Sequence, residues 1–223
     1  MNTPNSASPK HATLDFPVHE LLASRWSPYA FDGRPVSAGD LCSLFEAARW
    51  AASSYNEQPW SYFVATRKEP EEFERLLSCL LPANQSWAKA APVLVLGAVS
   101  LKFAKNGADN RAAVHDLGLA SANLVVEATV LGLSVHQMIG ILPDRARELY
   151  RIPADTEAWT AMAIGYRSAE GAGPAALRER DLAPRGRKAL DRFVFTGTWD
   201  RSSPVVLAGA LPVPVPVDGT FSG

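Results

Sequence analysis

The stretch NRAAVHDLGLASANLVVEATVLGL, residues 110–133, constrains the fold more than any other part of the chain. It reads as one helix, yet apolar and small residues run around nearly its whole circumference, so no single buried face would satisfy it. Such a helix has to pack closely against neighbours on more than one side, at the centre of the molecule or of a dimer.

The flanking segments provide neighbours. Ser37-Ala-Gly-Asp40 has the form of a capping box, and Leu41, Leu44, Phe45, Ala48 and Ala51 follow at helical spacing, which predicts a helix over about 38–52. It runs into the polar turn Ser53-Ser54-Tyr55-Asn56. Residues 60–66 alternate and are rich in β-formers, EPEEFERLLSCLL is an amphipathic helix opened by acidic residues, and APVLVLGAV is the continuous apolar run of a buried strand. A strand over 135–138, a helix over 144–151 and a strand in EAWTAMAIGY complete an α+β pattern. The organisation expected is a single domain over 15–203, a disordered polar lead over 1–14, and an arm over 204–223 whose alternating prolines exclude helix and central strand.

Twenty-two basic against 23 acidic residues leave no basic field to attract nucleic acid or an anionic membrane. No run of about 18 apolar residues would span a bilayer, and the N-terminus lacks the apolar core of an export signal, so a cytoplasmic location is expected. Cys42 and Cys79 each lie in a helical apolar pattern and read as small core residues. His11, His19, His115 and His136 show no metal-binding spacing, and no metal site is predicted. A dinucleotide-binding Gly-x-Gly-x-x-Gly, a P-loop, a Gly-x-Ser-x-Gly elbow and internal repeats are all missing.

The stretch richest in chemistry begins at Ser24-Arg25-Trp26-Ser27-Pro28-Tyr29-Ala30-Phe31-Asp32 and ends at Ala51-Ala52-Ser53-Ser54-Tyr55-Asn56-Glu57-Gln58-Pro59-Trp60. An Arg-x-Ser-x-x-x-Phe segment, then a helix, then Ser-Ser-x-Asn-x-Gln-Pro-Trp before a strand resembles the nitroreductase family of FMN enzymes. The similarity continues in Asn84-Gln85-Ser86-Trp87, Asp116-Leu117-Gly118, Leu131-Gly132-Leu133 leading to Gly140, and Arg185-Gly186-Arg187, over roughly residues 20–200.

The resemblance implies a central, mainly antiparallel sheet flanked by helices, in an intertwined homodimer with active sites between the subunits. It implies that Arg25, Arg185 and Arg187 clamp the dianionic phosphate of FMN, for which planar guanidinium forks are suited. Ser27 is placed at the polar edge of the flavin, beside Trp26 and Tyr29. The family has Lys or Arg where this chain has Tyr29, and a cation there stabilises the reduced ring; a Tyr can stack on substrate or pack in the core. Ala52, Ser53, Ser54 and Asn56 form the loop that reaches the flavin of the other subunit, Asn84 is a candidate for the pyrimidine edge, and Gln137, Met138, Ile139 and Gly140 line the ring. Backbone amides of Ile139 and Gly140, Ile139 foremost, are the candidates to donate to flavin N5, while Gln58, Pro59 and a buried Trp60 are structural.

The activity implied is transfer of hydride from NADH or NADPH through the flavin to an electron-poor small molecule such as a nitroaromatic or quinone. Alternatives are other flavin chemistry on the same clamp (reductive dehalogenation, flavin fragmentation, heterocycle dehydrogenation) and an FMN-binding dimer without turnover. A lid over the flavin is expected within 100–112 or 168–184.

Overall fold

The computed structural model describes residues 10–169 and 172–207. They form two compact units, one spanning Arg25–Leu182 and one joining the chain up to Ser24 with the chain from Ala183.

The larger unit is built on β1 (Trp60–Thr66), β2 (Val93–Ser100), β3 (Ser134–Met138) and β4 (Thr156–Gly165), in the order β1-β2-β4-β3 with every neighbouring pair antiparallel. Its helices are α2 (Ala38–Arg49), α3 (Pro70–Leu77), α4 (Pro82–Ala88), α5 (Ala113–Val130), α6 (Pro143–Tyr150) and α7 (Ala175–Leu182). Successive side chains of a strand point to opposite faces, and both faces here are covered. Val93, Val95, Met162 and Ile164 pack with Leu44 and Ala48 of α2 and Ala120, Leu124 and Ala128 of α5. Leu94, Leu96, Ala161 and Ala163 pack with Phe73 and Leu76 of α3, Trp87 of α4 and Ala146 of α6. Burial on both faces explains why β2 reads as an unbroken apolar run although its partners are antiparallel. The α+β architecture expected from the sequence is the one observed.

Local chemistry sets the ends of the elements. Ser37 Oγ accepts the Asp40 amide at 3.0 Å, capping α2. The helix stops at Arg49 rather than near 52: the Ala51 amide turns to Ala48 O in a tighter i→i−3 bond, and Ser53 is already extended. α4, which has no strong periodicity, begins on Pro82 at its first turn.

Three expectations need correction. Cys42 is exposed, since the buried stripe of α2 runs through Leu44 and Ala48 and a residue two positions away faces elsewhere. Cys79 is buried as expected, but just beyond the end of α3. Trp60, at the start of an edge strand, is half-buried.

The smaller unit holds α1 (Glu20–Ser24) and α8 (Pro204–Leu207). Within the segment expected to be a disordered lead, the Ala12 amide donates to Ala23 O at 3.0 Å and His11 Nε2 meets the Glu20 carboxylate at 3.2 Å. The first residues of the expected arm form the single turn α8, opened by a proline; residues 1–9 and 208–223 lie outside the described residues. No described helix is long and apolar enough to cross a membrane.

Candidate functional site

The first group of site residues gathers around the end of β3. The chain turns there through Met138-Ile139-Gly140, and its carbonyls are tied back into the protein. Thr160 Oγ1 donates to Met138 O at 3.0 Å, while the Leu81 amide and Asn84 Nδ2 both donate to Gly140 O at 3.0 Å. The Ile141 amide donates to Ile139 O at 2.9 Å. No acceptor is found among the described residues for the amides of Ile139 and Gly140, and Ile139 is 79% exposed. The turn therefore presents two N–H donors from a rigid base, and buried Met138 and Ile141 secure it beneath. Gly140 is required for closeness: a Cβ there would lie 2.5 Å from Asn84 Nδ2. Asn84 directs its amide nitrogen at the turn, and Gln137 is exposed beside it.

The segment 25–29 adjoins this turn through His136 of β3, whose Nδ1 donates to Pro28 O at 2.9 Å. The His136 ring lies 4.4 Å from Trp87 and 4.5 Å from Tyr29, and Tyr29 meets Trp87 edge-on at 5.1 Å. Tyr29 is thereby half-buried against the core. Its amide donates to both carboxylate oxygens of Asp181 at 3.1 Å, and its phenol oxygen accepts from Arg180 at 3.5 Å. Both partners lie on α7, within the second stretch expected to form a lid. Arg25 donates to Ser27 Oγ at 3.3 Å. Burial is the main influence that lowers the His136 pKa; the Pro28 carbonyl and Asp181 oppose it, and Arg25 adds to it. His136 is thus a neutral imidazole at neutral pH. Trp26 is half-buried.

The second group is the loop after α2. Ser54–Asn56 form a 3-10 turn, and Tyr55, Asn56 and Gln58 take φ of 54°, 56° and 49°. Left-handed backbone at non-glycine residues costs about 1–3 kcal/mol each, and such strain gathers at functional loops. Polar restraints hold it. The Ser54 amide donates to Asp116 Oδ2 at 2.9 Å, the Gln58 amide to Ser53 Oγ at 3.1 Å, and Gln58 Nε2 to Asn56 O at 3.1 Å. Glu57 accepts the Ala104 amide at 2.6 Å, and Tyr55 meets Phe103 edge-on at 5.8 Å. The other candidate lid segment is thus a tight turn packed against this loop, closed by the Phe103 amide on Ala108 O at 2.9 Å. Ala52 and Asn56 are exposed, and Ser53 and Ser54 half-buried.

The third group belongs to the smaller unit. Arg185 donates to Ala23 O, and Arg187 donates to Gly186 O at 2.7 Å. Burial, and then the charge of Arg187, lowers the Arg185 pKa. Two guanidinium groups close enough to repel each other form a place where an anion would be welcome.

Sequence reasoning assigned no role to Asp116, His136, Asp181 or Trp87. Asp116 stood within the Asp-Leu-Gly motif, and a carboxylate amid small apolar residues is a readable signal. Trp87 stood within the motif Asn84-Gln85-Ser86-Trp87, and His136 and Asp181 are joined to the site only by long-range folding.

The model of the nitroreductase family matches residues 22–166. An uncharacterized 15.4 kDa protein of Mycolicibacterium smegmatis is 34% identical over 126 residues, which is 55% of this chain and 82% of that protein. A protein of Archaeoglobus fulgidus provisionally named NADH dehydrogenase/NAD(P)H nitroreductase is 26% identical over 152 residues, 66% of this chain and 83% of its own. A solved oxidoreductase that contains FMN superposes with a TM-score of 0.79 at 31% identity, covering 89% of this chain and 98% of its own. The fold, the ordered motifs and the family match agree: this chain belongs to the nitroreductase family, and is an oxidoreductase of that family.

Proposed function

We propose that this chain binds FMN and uses NADH or NADPH to reduce an electron-poor small molecule, as a homodimer. The observation that carries the reading is the turn Met138-Ile139-Gly140, whose carbonyls are bonded within the chain while the amides of Ile139 and Gly140 have no acceptor among the described residues. Such fixed donors suit a planar heterocycle whose ring atoms must accept hydrogen bonds at one edge. The FMN named in a 31% identical solved structure, and the NAD(P)H named in the Archaeoglobus relative, support the same cofactors here.

FMN, when bound, supplies a two-electron carrier between the nicotinamide and an acceptor such as a nitroaromatic or quinone. The residues of this chain bind and orient it. Ile139 and Gly140 amides would donate to the ring, with Gln137 and Met138 at the same strand end. Ser27 and Trp26 would hold its polar edge, and Arg25, Arg185 and Arg187 its phosphate. Ser53, Ser54 and Asn56, with Ala52 beside them, would hold the flavin of the second subunit. Asn84 holds the amide-bearing turn, and Tyr29 closes the aromatic floor with Trp87 and His136.

Purified protein is expected to be yellow, to bleach anaerobically with NADH or NADPH, and to recover colour with a member of a panel of quinones, nitroaromatics, halophenols and enones. Colourless protein that takes up no added FMN would overturn the assignment. Because Tyr29 is packed into the core where the family has a cation, a second outcome is meaningful: flavin that binds but is not reduced by either nicotinamide identifies a binding protein without turnover.

A further inference from the structure

We propose that Asp116 is a positioning residue for the flavin: its buried carboxylate, on α5, holds the loop 53–58 in the shape that presents Ser54 and Asn56. This rests on the reading of those two side chains as flavin donors. The loop is strained at Tyr55, Asn56 and Gln58, and apolar burial does not hold it, since Tyr55 is 91% exposed. Two of its bonds, Gln58 to Ser53 and Gln58 to Asn56, lie inside the loop and close its curl. The link that ties it to a rigid element is the Ser54 amide on Asp116 Oδ2 at 2.9 Å. Glu57 ties it only to a neighbouring surface turn.

Asp116 itself is 2% exposed, on a helix whose other buried residues are apolar or small. A carboxylate is costly at such a position unless donors satisfy it, and here both oxygens are used, Oδ1 by His115 Nδ1 at 3.1 Å. An aspartate whose buried oxygen spends itself on the amide of the residue flanking three left-handed positions sets the loop's shape rather than touching the ligand. Its effect on the cofactor therefore passes through Ser54 and Asn56.

Titration of the full-length apoprotein with FMN tests this. Asp116→Ala is expected to weaken binding about tenfold or more, while Asp116→Asn, which keeps an acceptor oxygen, stays within about threefold. Asn56→Ala is expected to weaken binding on its own, Ser54→Ala/Asn56→Ala to weaken it further, and Asp116→Ala added to that pair to be little worse than the pair, because Asp116 acts only through those two side chains. If Asn56→Ala binds weakly but Asp116→Ala binds like the unmodified protein, the positioning role is wrong and the loop reading survives. Full addition of the Asp116→Ala penalty to that of the pair would likewise overturn it, since that is the signature of a merely structural residue. If Ser54→Ala and Asn56→Ala both bind normally, the loop reading itself fails and this proposal falls with it. Should Asp116→Ala not fold, hydrogen exchange of the unmodified protein decides: a protected Ser54 amide supports the anchor, and exchange at the free-chain rate overturns it.

Discussion

His136 keeps its single proton on Nδ1, because that nitrogen faces the Pro28 carbonyl at 2.9 Å. A second proton would charge a ring packed between Trp87 and Tyr29 and burdened by Arg25, so burial holds the imidazole below its usual range despite the help of Asp181. The consequence for stability has a definite sign. Above about 6.5, the unfolded value, both states carry a neutral ring and the contribution is fully present. As pH falls through that value the unfolded chain binds a proton that the folded chain refuses, and stability declines. The thermal midpoint is therefore expected to drop between pH 7 and 5.5, and His136→Gln to flatten that drop; parallel profiles for the two proteins would reject the assignment. None of this network was readable along the chain. Tyr29 was visible as a phenol in place of a cation, but its choice of the core over a substrate depends on Trp87 and His136, which only the sheet brings to it. Asp116 was visible as a motif residue, and its use was hidden because the group that ties it to the loop is a backbone amide.

At the scale of elements, legibility followed the strength of the apolar pattern. β1 was readable residue for residue, β2 and β4 to within two at either end, and α5 was readable because its sequence leaves no polar face. α4 escaped because Trp87 and Ala88 are its only buried residues, too few to establish a period. The loop 53–58 was readable as a turn but not as a strained one, since Tyr and Gln give no hint of left-handed backbone. The turn after β3 lies between these cases: Gly140 was readable, whereas the reason for it is the approach of Asn84 from a different helix. A methyl group at Gly140 would push the Asn84 amide off Gly140 O while leaving the sheet and its core alone. Gly140→Ala is accordingly expected to loosen FMN by up to roughly tenfold, the worth of one such bond, with little change in the thermal midpoint of the apoprotein. A large loss of stability with unaltered flavin affinity would show that the turn serves folding rather than the cofactor.

For the molecule as a whole, the helix that dominates the sequence leaves one side uncovered among the described residues. α5 turns Leu117, Ala120, Leu124 and Ala128 into the core, yet Leu119 and Val130 remain 37% and 55% exposed. Gly118 and Ala122 lie on the same outward side, and a Cβ built at Gly118 would meet nothing within 4 Å. Trp50, at the end of α2, is 76% exposed as well. These residues share the outward side of α5 with exposed His115 and Asn123, and a close two-fold packing against a second copy would cover them, as in the intertwined dimer that the family resemblance implies. The arrangement makes a prediction that single-chain sites cannot meet. If each flavin takes Arg187 from one chain and Asn56 from the other, a dimer mixed from Arg187→Ala and Asn56→Ala chains collects both defects in one site and none in its mate. Each variant alone is expected to bind FMN poorly. After the two are mixed, denatured and refolded together, half the sites of every mixed dimer should recover unmodified affinity, read as a tight phase in a fluorescence titration. Independent sites would gain nothing from mixing, because every chain would still carry its own defect.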